Sequence, residues 1–197
     1  MNVKSFLFPL AQSNLFPSTT KPLNIFESRY LEMIEDAIQT NTPIVIGYTP
    51  ENGDTYRTVG GYGHPQIIDR RSNGTLLVFV TGQGKVIIEN EMPDQEKPYL
   101  IVDTKIIQEN LNISEYLKPK YMTLSTVLAK WVQKNIPEQK QREIFIQSLK
   151  SPQEVIGAFA AYLIRDYDLQ YEMMEIHSSN EQIEYLHRLF ESNELTV

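Results

Sequence analysis

The chain has 197 residues, which is enough for one large domain or two small ones with a buried core. It contains no cysteine, so disulfides, thiolate metal sites and cysteine nucleophiles are excluded. Its 18 Lys and Arg against 25 Asp and Glu give a net charge of -7, which does not favour binding to phosphate backbones or anionic lipid.

The acidity is spread over both halves of the chain, with a net charge of -4 up to residue 112 (9 basic, 13 acidic) and -3 from residue 113 (9 basic, 12 acidic). No apolar stretch of the sequence approaches the roughly 20 residues that a membrane-spanning helix needs. The N-terminus also differs from a signal peptide, because Pro9 interrupts its apolar run and Gln12 ends it. We therefore expect a cytoplasmic protein.

The N-terminal segment carries the triplet Leu-Phe-Pro twice, at residues 7–9 and 15–17. Residues 6–10 predict a short strand that lies at a sheet edge or ends at its proline, because proline donates no hydrogen bond to a ladder. Residues 15–22 predict an extended loop, since Pro17 and Pro22 each disfavour helix at the residue before them.

A helix is predicted for residues 25–39, where apolar side chains recur every three or four positions. The predicted buried stripe of this helix consists of Phe26, Tyr30, Met33, Ile34, Ala37 and Ile38. Asn24 followed by Glu27 three residues later has the pattern of a capping box. The sequence Asn41-Thr42-Pro43 is expected to end the helix.

Between residues 43 and 108, short β-branched and aromatic runs alternate with turn sequences. The runs predict about six strands, at residues 44–48, 55–62, 66–69, 75–81, 85–89 and 99–107. The turns between them are predicted at residues 52–54, 72–74, 82–84 and 92–94. Together with the N-terminal strand, so many short strands favour a meandering barrel or sandwich.

The second half of the chain has helical periodicity to its end and predicts a bundle of about four helices. An apolar stripe spans residues 124–132, a further helix is predicted for residues 138–149, and the last for residues 180–192. Before the third helix, Ser151, Pro152 and Glu154 supply an N-cap, a proline at N1 and a glutamate at N3. The buried face of that third helix is predicted to extend from Val155 to Tyr167.

Motifs that would carry catalysis or cofactor chemistry are incomplete. The sequence from Thr81 to Val86 contains the glycines and lysine of a phosphate loop but not its remaining residues, so we predict a hairpin turn. The cluster Gly60–Gly63 predicts a bulge or a close backbone contact. The histidines at positions 64, 177 and 187 are too scattered for a ligand set. We expect no metal, no cofactor and no enzymatic activity.

One group of residues has the composition of a binding surface. Arg70 and Arg71 precede a turn, with Tyr62 and His64 shortly before them. Basic and aromatic side chains together bind single-stranded nucleic acid in some proteins, although two arginines in an acidic protein are more often a solvated turn. Aromatic and arginine side chains are also favoured anchors for protein partners, so we take these four and Tyr48 as candidate exposed contact residues.

Residues 7–10, 15–17 and 22–37 resemble the beginning of the Lon protease N-terminal domain family. The similarity extends more loosely to the later strands and to residues 173–176 and 182–190, so it covers nearly the whole chain. The motif residues that we interpret as structural are Pro17, Pro22, Phe26, Glu27, Arg29 and Tyr30.

This resemblance implies an α+β fold: a PUA-like β-barrel of about six or seven short strands plus one helix at residues 1–112, followed by an α-helical bundle at residues 113–197. The chain ends at Val197, without the sequence motifs of the ATPase and Ser-Lys peptidase modules of Lon. We therefore expect a stand-alone, non-catalytic module related to proteolysis. Its expected function resembles the recognition of protein substrates by the Lon N-terminal domain.

The expected partners are polypeptide substrates or a partner protein, with an adaptor role in protein quality control as one form of this function. The Lon-like part of cereblon, which is similar, binds a partner protein. Binding is expected in a groove between barrel and bundle, or by strand addition at an exposed edge. The alternative is an RNA-binding protein, because PUA-like barrels elsewhere bind RNA. The sequence leaves the oligomeric state and the partner open.

Overall fold

The computed structural model describes residues 2–51, 55–92 and 96–195. Contacts divide the chain into two compact units, Met1–Ile107 and Gln108–Val197. The predicted boundary between residues 112 and 113 stays a prediction. Of the predicted turns, residues 52–54 and 93–94 lie outside the described residues.

The described part of the first unit consists of two sheets and one helix. Its elements are β1 (Asn2–Ala11), β2 (Thr20–Ile25), α1 (Ser28–Thr40), β3 (Ile44–Thr49), β4 (Val59–Gly63), β5 (Pro65–Arg70), β6 (Leu76–Thr81), β7 (Gly84–Met92) and β8 (Leu100–Ile106). A closed barrel has the strand order β1-β3-β4-β7-β8, and a separate sheet has the order β2-β6-β5. The predicted α+β fold with an N-terminal barrel is confirmed.

Strand β1 pairs on both sides and continues past Pro9 to Ala11, so the prediction that it lies at a sheet edge or ends at its proline is wrong. It pairs in parallel with β3, and antiparallel with β8 from Asn2 as far as Leu7. The amides of Phe6 and Gln12 bond to carbonyls on the β3 side, so the nitrogen of Pro9 points to the β8 side. Proline is tolerated there because the ladder with β8 has already ended.

The start of α1 also differs from the prediction. Asn24 does not cap the helix: it lies in β2, which pairs with β6 up to the position of Ile25. Glu27 is the N-cap residue, and its side chain makes no capping hydrogen bond. Phe26 therefore lies outside the helix and is exposed, instead of belonging to its buried stripe. The backbone pairing of β2 with β6 thus determines the structure of residues 20–25 in place of the helical pattern of the sequence.

Two apolar clusters lie on opposite faces of the barrel strands. Inside the barrel, Leu7, Val45, Val86, Ile88 and Val102 pack together. The neighbouring residues of the same strands face outward, where they pack with α1 and the second sheet. The side chains of this outer cluster include Phe6, Phe8, Ile44, Ile46, Ile101, Met33, Ile34, Leu23 and Val78. Alternation of side chains along each strand thus separates the two clusters.

The glycine cluster allows a close approach between the loop at residues 12–19 and the barrel. A Cβ atom at Gly61 would overlap the carbonyl oxygen of Leu15, and one at Gly82 would overlap that of Phe16. The predicted close backbone contact at residues 60–63 is confirmed. The connection at residues 82–83 is not a hairpin, since β6 and β7 belong to different sheets.

The described part of the second unit has five α-helices. They are α2 (Lys118–Asn135), α3 (Gln139–Ser148), α4 (Pro152–Leu163), α5 (Tyr167–Glu175) and α6 (Ser179–Glu191), preceded by a 3-10 helix at Glu115–Leu117. The core between α2, α4 and α6 includes Leu124, Leu128, Phe159, Leu163, Ile183 and Leu186. Among the described residues, no helix is both long and apolar enough to cross a membrane.

The predicted start of α4 is confirmed, but its end is not. Ser151 and Glu154 form a complete capping box at its N-terminus. The helix stops at Leu163, and Asp166 then caps α5 by accepting bonds from the amides of Asp168 and Leu169. Tyr167, predicted for the buried face of α4, instead begins α5 and is exposed.

We expect Gly61→Ala to lower the free energy of unfolding by about 3 kcal/mol, because the new methyl group overlaps a backbone carbonyl. Gly74→Ala is the matched control: Gly74 has open space around it and a φ of 84°, so only backbone strain of about 1 kcal/mol is expected. Chemical denaturation measures both changes. Equal losses would contradict a steric role for Gly61.

Candidate functional site

An open groove lies on the first unit beside the N-terminus of α1. It consists of two adjoining hollows of about 640 and 270 Å³, both lined by Pro9, Arg29 and Tyr30. The larger hollow is also lined by Leu7, Glu91, Met92, Lys97, Pro98, Tyr99 and Leu100. The smaller is also lined by Phe8, Leu10, Asn24, Ile25, Phe26 and Glu27. We refer to these residues as the Tyr30 groove.

Tyr30 lies where the two hollows meet. Its ring centroid is 4.3 Å from that of Phe8, and the Arg29 guanidinium lies 4.7 Å from the centre of the Tyr30 ring. Arg29 also forms a surface ion pair with Glu27 at 2.7 Å. Burial raises the pKa of Tyr30, so its phenol is neutral at physiological pH. The groove thus combines a neutral aromatic surface with a charged pair at its rim.

Phe26 stands at the rim with 70% of its surface exposed. Alternation along β2 explains its position, since Leu23 and Ile25 face the core and the residues between and after them face outward. The strongly exposed phenyl ring and the partly exposed Leu100 present apolar surface to solvent at a concave site. Such a combination is typical of a binding surface.

A hydrogen-bonded cluster holds one wall of the groove against α1. The Lys97 ammonium donates to Asp36 at 2.6 Å and to Glu32 at 3.1 Å, and the Tyr99 hydroxyl donates to the same Asp36 carboxylate at 2.5 Å. The bonds from Lys97 and Tyr99 lower the pKa of Asp36. Burial and the bond to Asp36 raise the pKa of Tyr99. This cluster therefore fixes the segment before β8 relative to α1.

The negative charge of Glu91, at the edge of the larger hollow, is also held in place. Glu91 accepts a hydrogen bond of 2.7 Å from the Tyr56 hydroxyl. Burial and this bond raise the pKa of Tyr56 to about 12. The phenol remains a donor at physiological pH, so Glu91 keeps its position at the edge of the larger hollow.

The five candidate contact residues are not gathered at one site. Tyr48 is only 2% exposed, so the expectation that it is an exposed contact is wrong: it lies in a strand whose first five residues are all buried. Tyr62 is half-buried and packs on the apolar cluster inside the barrel. The ring nitrogens of His64 lie 3.0 Å from Gln83 Oε1 and 3.3 Å from the carbonyl oxygen of Asn41.

Both arginines of the candidate set have carboxylate neighbours. Arg70 makes a bidentate pair with Glu35 on α1, at 2.5 and 3.1 Å. Arg71 lies 3.8 Å from Asp69. Each of these exposed arginines therefore has a carboxylate beside it, Arg70 as the last residue of β5 and Arg71 just after it. Neither residue lines the Tyr30 groove.

The motif residues Pro17 and Pro22 do not line the groove. Pro17 is buried in the loop after β1, and Pro22 is an exposed residue of β2 paired with Phe79. Lys85, the lysine of the incomplete phosphate loop, is buried in β7. Within residues 2–51, 55–92 and 96–195, no three Asp, Glu or His side chains are close enough together to hold a metal ion.

The architecture is α+β. The described part of one unit has a closed mixed barrel, a second sheet and an open groove, and the described part of the other has five helices. The model of the ATP-dependent protease La (LON) substrate-binding domain family matches residues 5–192. The chain belongs to this family.

Two solved structures show the same fold. The Lon N-terminal domain protein from Xanthomonas campestris has a TM-score of 0.71 and 19% sequence identity, over 93% of this chain and 96% of that one. The N-terminal domain of the Mycobacterium avium complex Lon protease has a TM-score of 0.71 and 16% identity, over 93% and 95%. Comparison with curated proteins gave no match.

We expect Asp36→Asn to destabilise the protein most at neutral pH. Asp36 has a lowered pKa in the folded state, so its contribution is complete well above its ordinary pKa of 3.8 and is lost as pH falls below that value. The difference in free energy of unfolding between Asp36→Asn and the natural protein should therefore shrink from pH 7 to pH 3. Denaturation at both pH values measures it, and a constant difference would contradict this role.

Tyr99→Phe tests the contribution of the Tyr99 hydroxyl separately from that of the Asp36 carboxylate. It removes one donor to Asp36 but keeps the bond from Lys97, so we expect a loss of about 1–2 kcal/mol at pH 7. The exposed Tyr116→Phe is the matched control and should leave stability unchanged. Equal effects of the two substitutions would show that the Tyr99 hydroxyl does not hold the wall.

Proposed function

We propose that this domain is a non-catalytic module that binds exposed polypeptide segments in the Tyr30 groove. The observation that carries the proposal is Phe26, a strongly exposed aromatic residue at the rim of the groove. Membership in the LON substrate-binding domain family supports a protein as the bound molecule.

The dimensions and chemistry of the groove fit a peptide. Its larger hollow, about 640 Å³, lies within the range of about 300–1,000 Å³ that is usual for ligand sites. An apolar side chain of the bound segment packs between Phe26 and the Tyr30 ring, where both aromatic surfaces exclude water from it. Glu27 and Arg29 flank this position and offer one acceptor and one donor to the peptide backbone.

Strand addition is a weaker mode of binding for this unit. The barrel is closed, which leaves β2 and β5 of the second sheet as the edges among the described strands. Each edge contains a proline, Pro22 or Pro65, and β5 has a register shift around Ile68. Prolines and bulges on edge strands prevent pairing with another chain. Side-chain capture in the groove is therefore favoured.

We also propose a cytoplasmic adaptor role for the chain. Tyr30 packs on Phe8 and on the Arg29 guanidinium, so the groove has a defined surface without a bound molecule. The matched family is the substrate-binding domain of a protease. An adaptor of this kind presents a bound polypeptide to other machinery. RNA binding is the less favoured alternative, because Arg70 and Arg71 already face carboxylates.

We expect Phe26→Ser to weaken binding of a reduced, carboxymethylated carrier protein by about tenfold or more, since a buried aromatic anchor contributes most of the energy of such contacts. Fluorescence anisotropy with labelled carrier measures the affinity. Ile38→Ser, at an exposed apolar residue of α1 outside the groove, is the matched control and should bind as the natural protein does.

Two outcomes would overturn the proposal. Unchanged binding by Phe26→Ser would remove the groove as the site. Salt-dependent binding of a single-stranded RNA, lost on Arg70→Ala with Arg71→Ala, would replace the polypeptide with RNA.

A further inference from the structure

Helix α3, all of whose residues the structure describes, buries none of them. Its apolar side chains are consecutive: Ile144 is 59% exposed, Ile146 is 47% exposed, and Phe145 between them is half-buried. A helix of ten residues is marginal in water unless an apolar face packs against something. The exposed isoleucines are thus apolar surface that this unit leaves uncovered.

Aromatic rings join α3 to its neighbours. The Tyr162 ring on α4 stacks on Trp131 of α2 at 5.4 Å and meets the edge of Phe145 at 5.6 Å. We call Trp131, Ile144, Phe145, Ile146 and Tyr162 the α3 patch. Tyr162 is itself partly exposed, so apolar surface is exposed on α4 as well as on α3. Patches of this kind on soluble proteins mark interaction sites.

The charge around the patch is opposite to that of the protein. Residues 130–150, which run from Lys130 beside Trp131 through α3, contain five Lys and Arg against two Glu, whereas residues 151–197 contain two against nine Asp and Glu. Lys140 lies one turn before Ile144 on α3 and is exposed. Arg142 donates to the carbonyls of Ile136 and Pro137, and Glu143 accepts a bond from Gln139. The segment that carries the patch is therefore strongly basic.

We propose that the α3 patch docks an acidic amphipathic helix of a partner protein. Its apolar face covers Ile144 and the Trp131 ring, and its acidic residues face Lys140, one turn before Ile144, and the Lys side chains near the end of α2. Helices with one apolar face commonly bind in this way. This interaction is separate from the Tyr30 groove and does not depend on the function proposed for that groove.

The chemistry of the patch favours a protein over nucleic acid. Single-stranded nucleic acid binds by stacking its bases on aromatic faces, and the rings of Trp131 and Tyr162 each cover one face of the other. The two exposed isoleucines provide aliphatic surface, which suits leucine and phenylalanine side chains. A second copy of this chain carries acidic helices of its own, so self-association is the competing arrangement that a test must separate.

The single tryptophan of the chain reports directly on the patch. The probe is an 18-residue helical peptide with Leu at every third or fourth position and Glu elsewhere, compared with its Lys-for-Glu counterpart and with a twelve-nucleotide oligouridine. We expect the acidic peptide alone to shift Trp131 emission to shorter wavelength, with an affinity that falls several-fold between 50 and 300 mM salt.

Two substitutions test the contacts. Ile144→Ser and Lys140→Glu should each weaken binding of the acidic peptide by about tenfold while leaving circular dichroism and carrier-protein binding unchanged. Met122→Ser is the matched control: it is 66% exposed on α2 but lies nine residues from Trp131, on the opposite side of the helix and about 13 Å along it.

Three results would overturn the proposal. The first is equal binding of both peptides, and the second is a response to the oligouridine in place of the peptide. The third is concentration-dependent self-association in sedimentation experiments that Ile144→Ser abolishes, which would assign the patch to a second copy of the chain. Because carrier-protein binding is measured in the same variants, failure here is distinguishable from failure of the Tyr30 groove.

Discussion

The barrel unit depends on one close backbone contact, in which the carbonyls of Leu15 and Phe16 lie where side chains at Gly61 and Gly82 would be. The loop that makes this contact connects β1 to β2, and β2 leads directly to the first residues of α1. The contact therefore sets where β2 joins β6 and where Phe26 emerges. The smaller hollow, whose lining residues all lie between Phe8 and Tyr30, is in this way positioned by glycines at positions 61 and 82.

Much of the fold could be predicted from the sequence because its patterns are local. The strands between residues 44 and 107 were placed within a few residues, since β-branched runs bounded by turn residues have few other structures. The sequence does not predict a strand at residues 22–25 or an exposed Phe26, because Phe26 suits both a helical stripe and the outward face of a strand. Only pairing with β6, a contact across some fifty residues, distinguishes the two.

The candidate site was harder to predict, since a surface depends on which side chains the fold leaves uncovered. Arg70 and Arg71 have the composition of a binding turn, yet Glu35, which the fold brings near, pairs with Arg70, and Asp69 lies beside Arg71. Conversely, the alternation of Leu23 and Ile25 with outward residues was a signal for an exposed Phe26. The basic character of residues 130–150 was hidden in the balance of the whole second half.

Pro9 has a consequence for the shape of the Tyr30 groove. It lines both hollows, and its nitrogen faces the side on which β8 stops pairing at Leu7. A longer β8 would gain no ladder bond at Pro9, because that nitrogen carries no hydrogen. Because Pro9 lacks a hydrogen-bond donor, the β1–β8 ladder does not extend across the mouth of the groove, and the groove stays open.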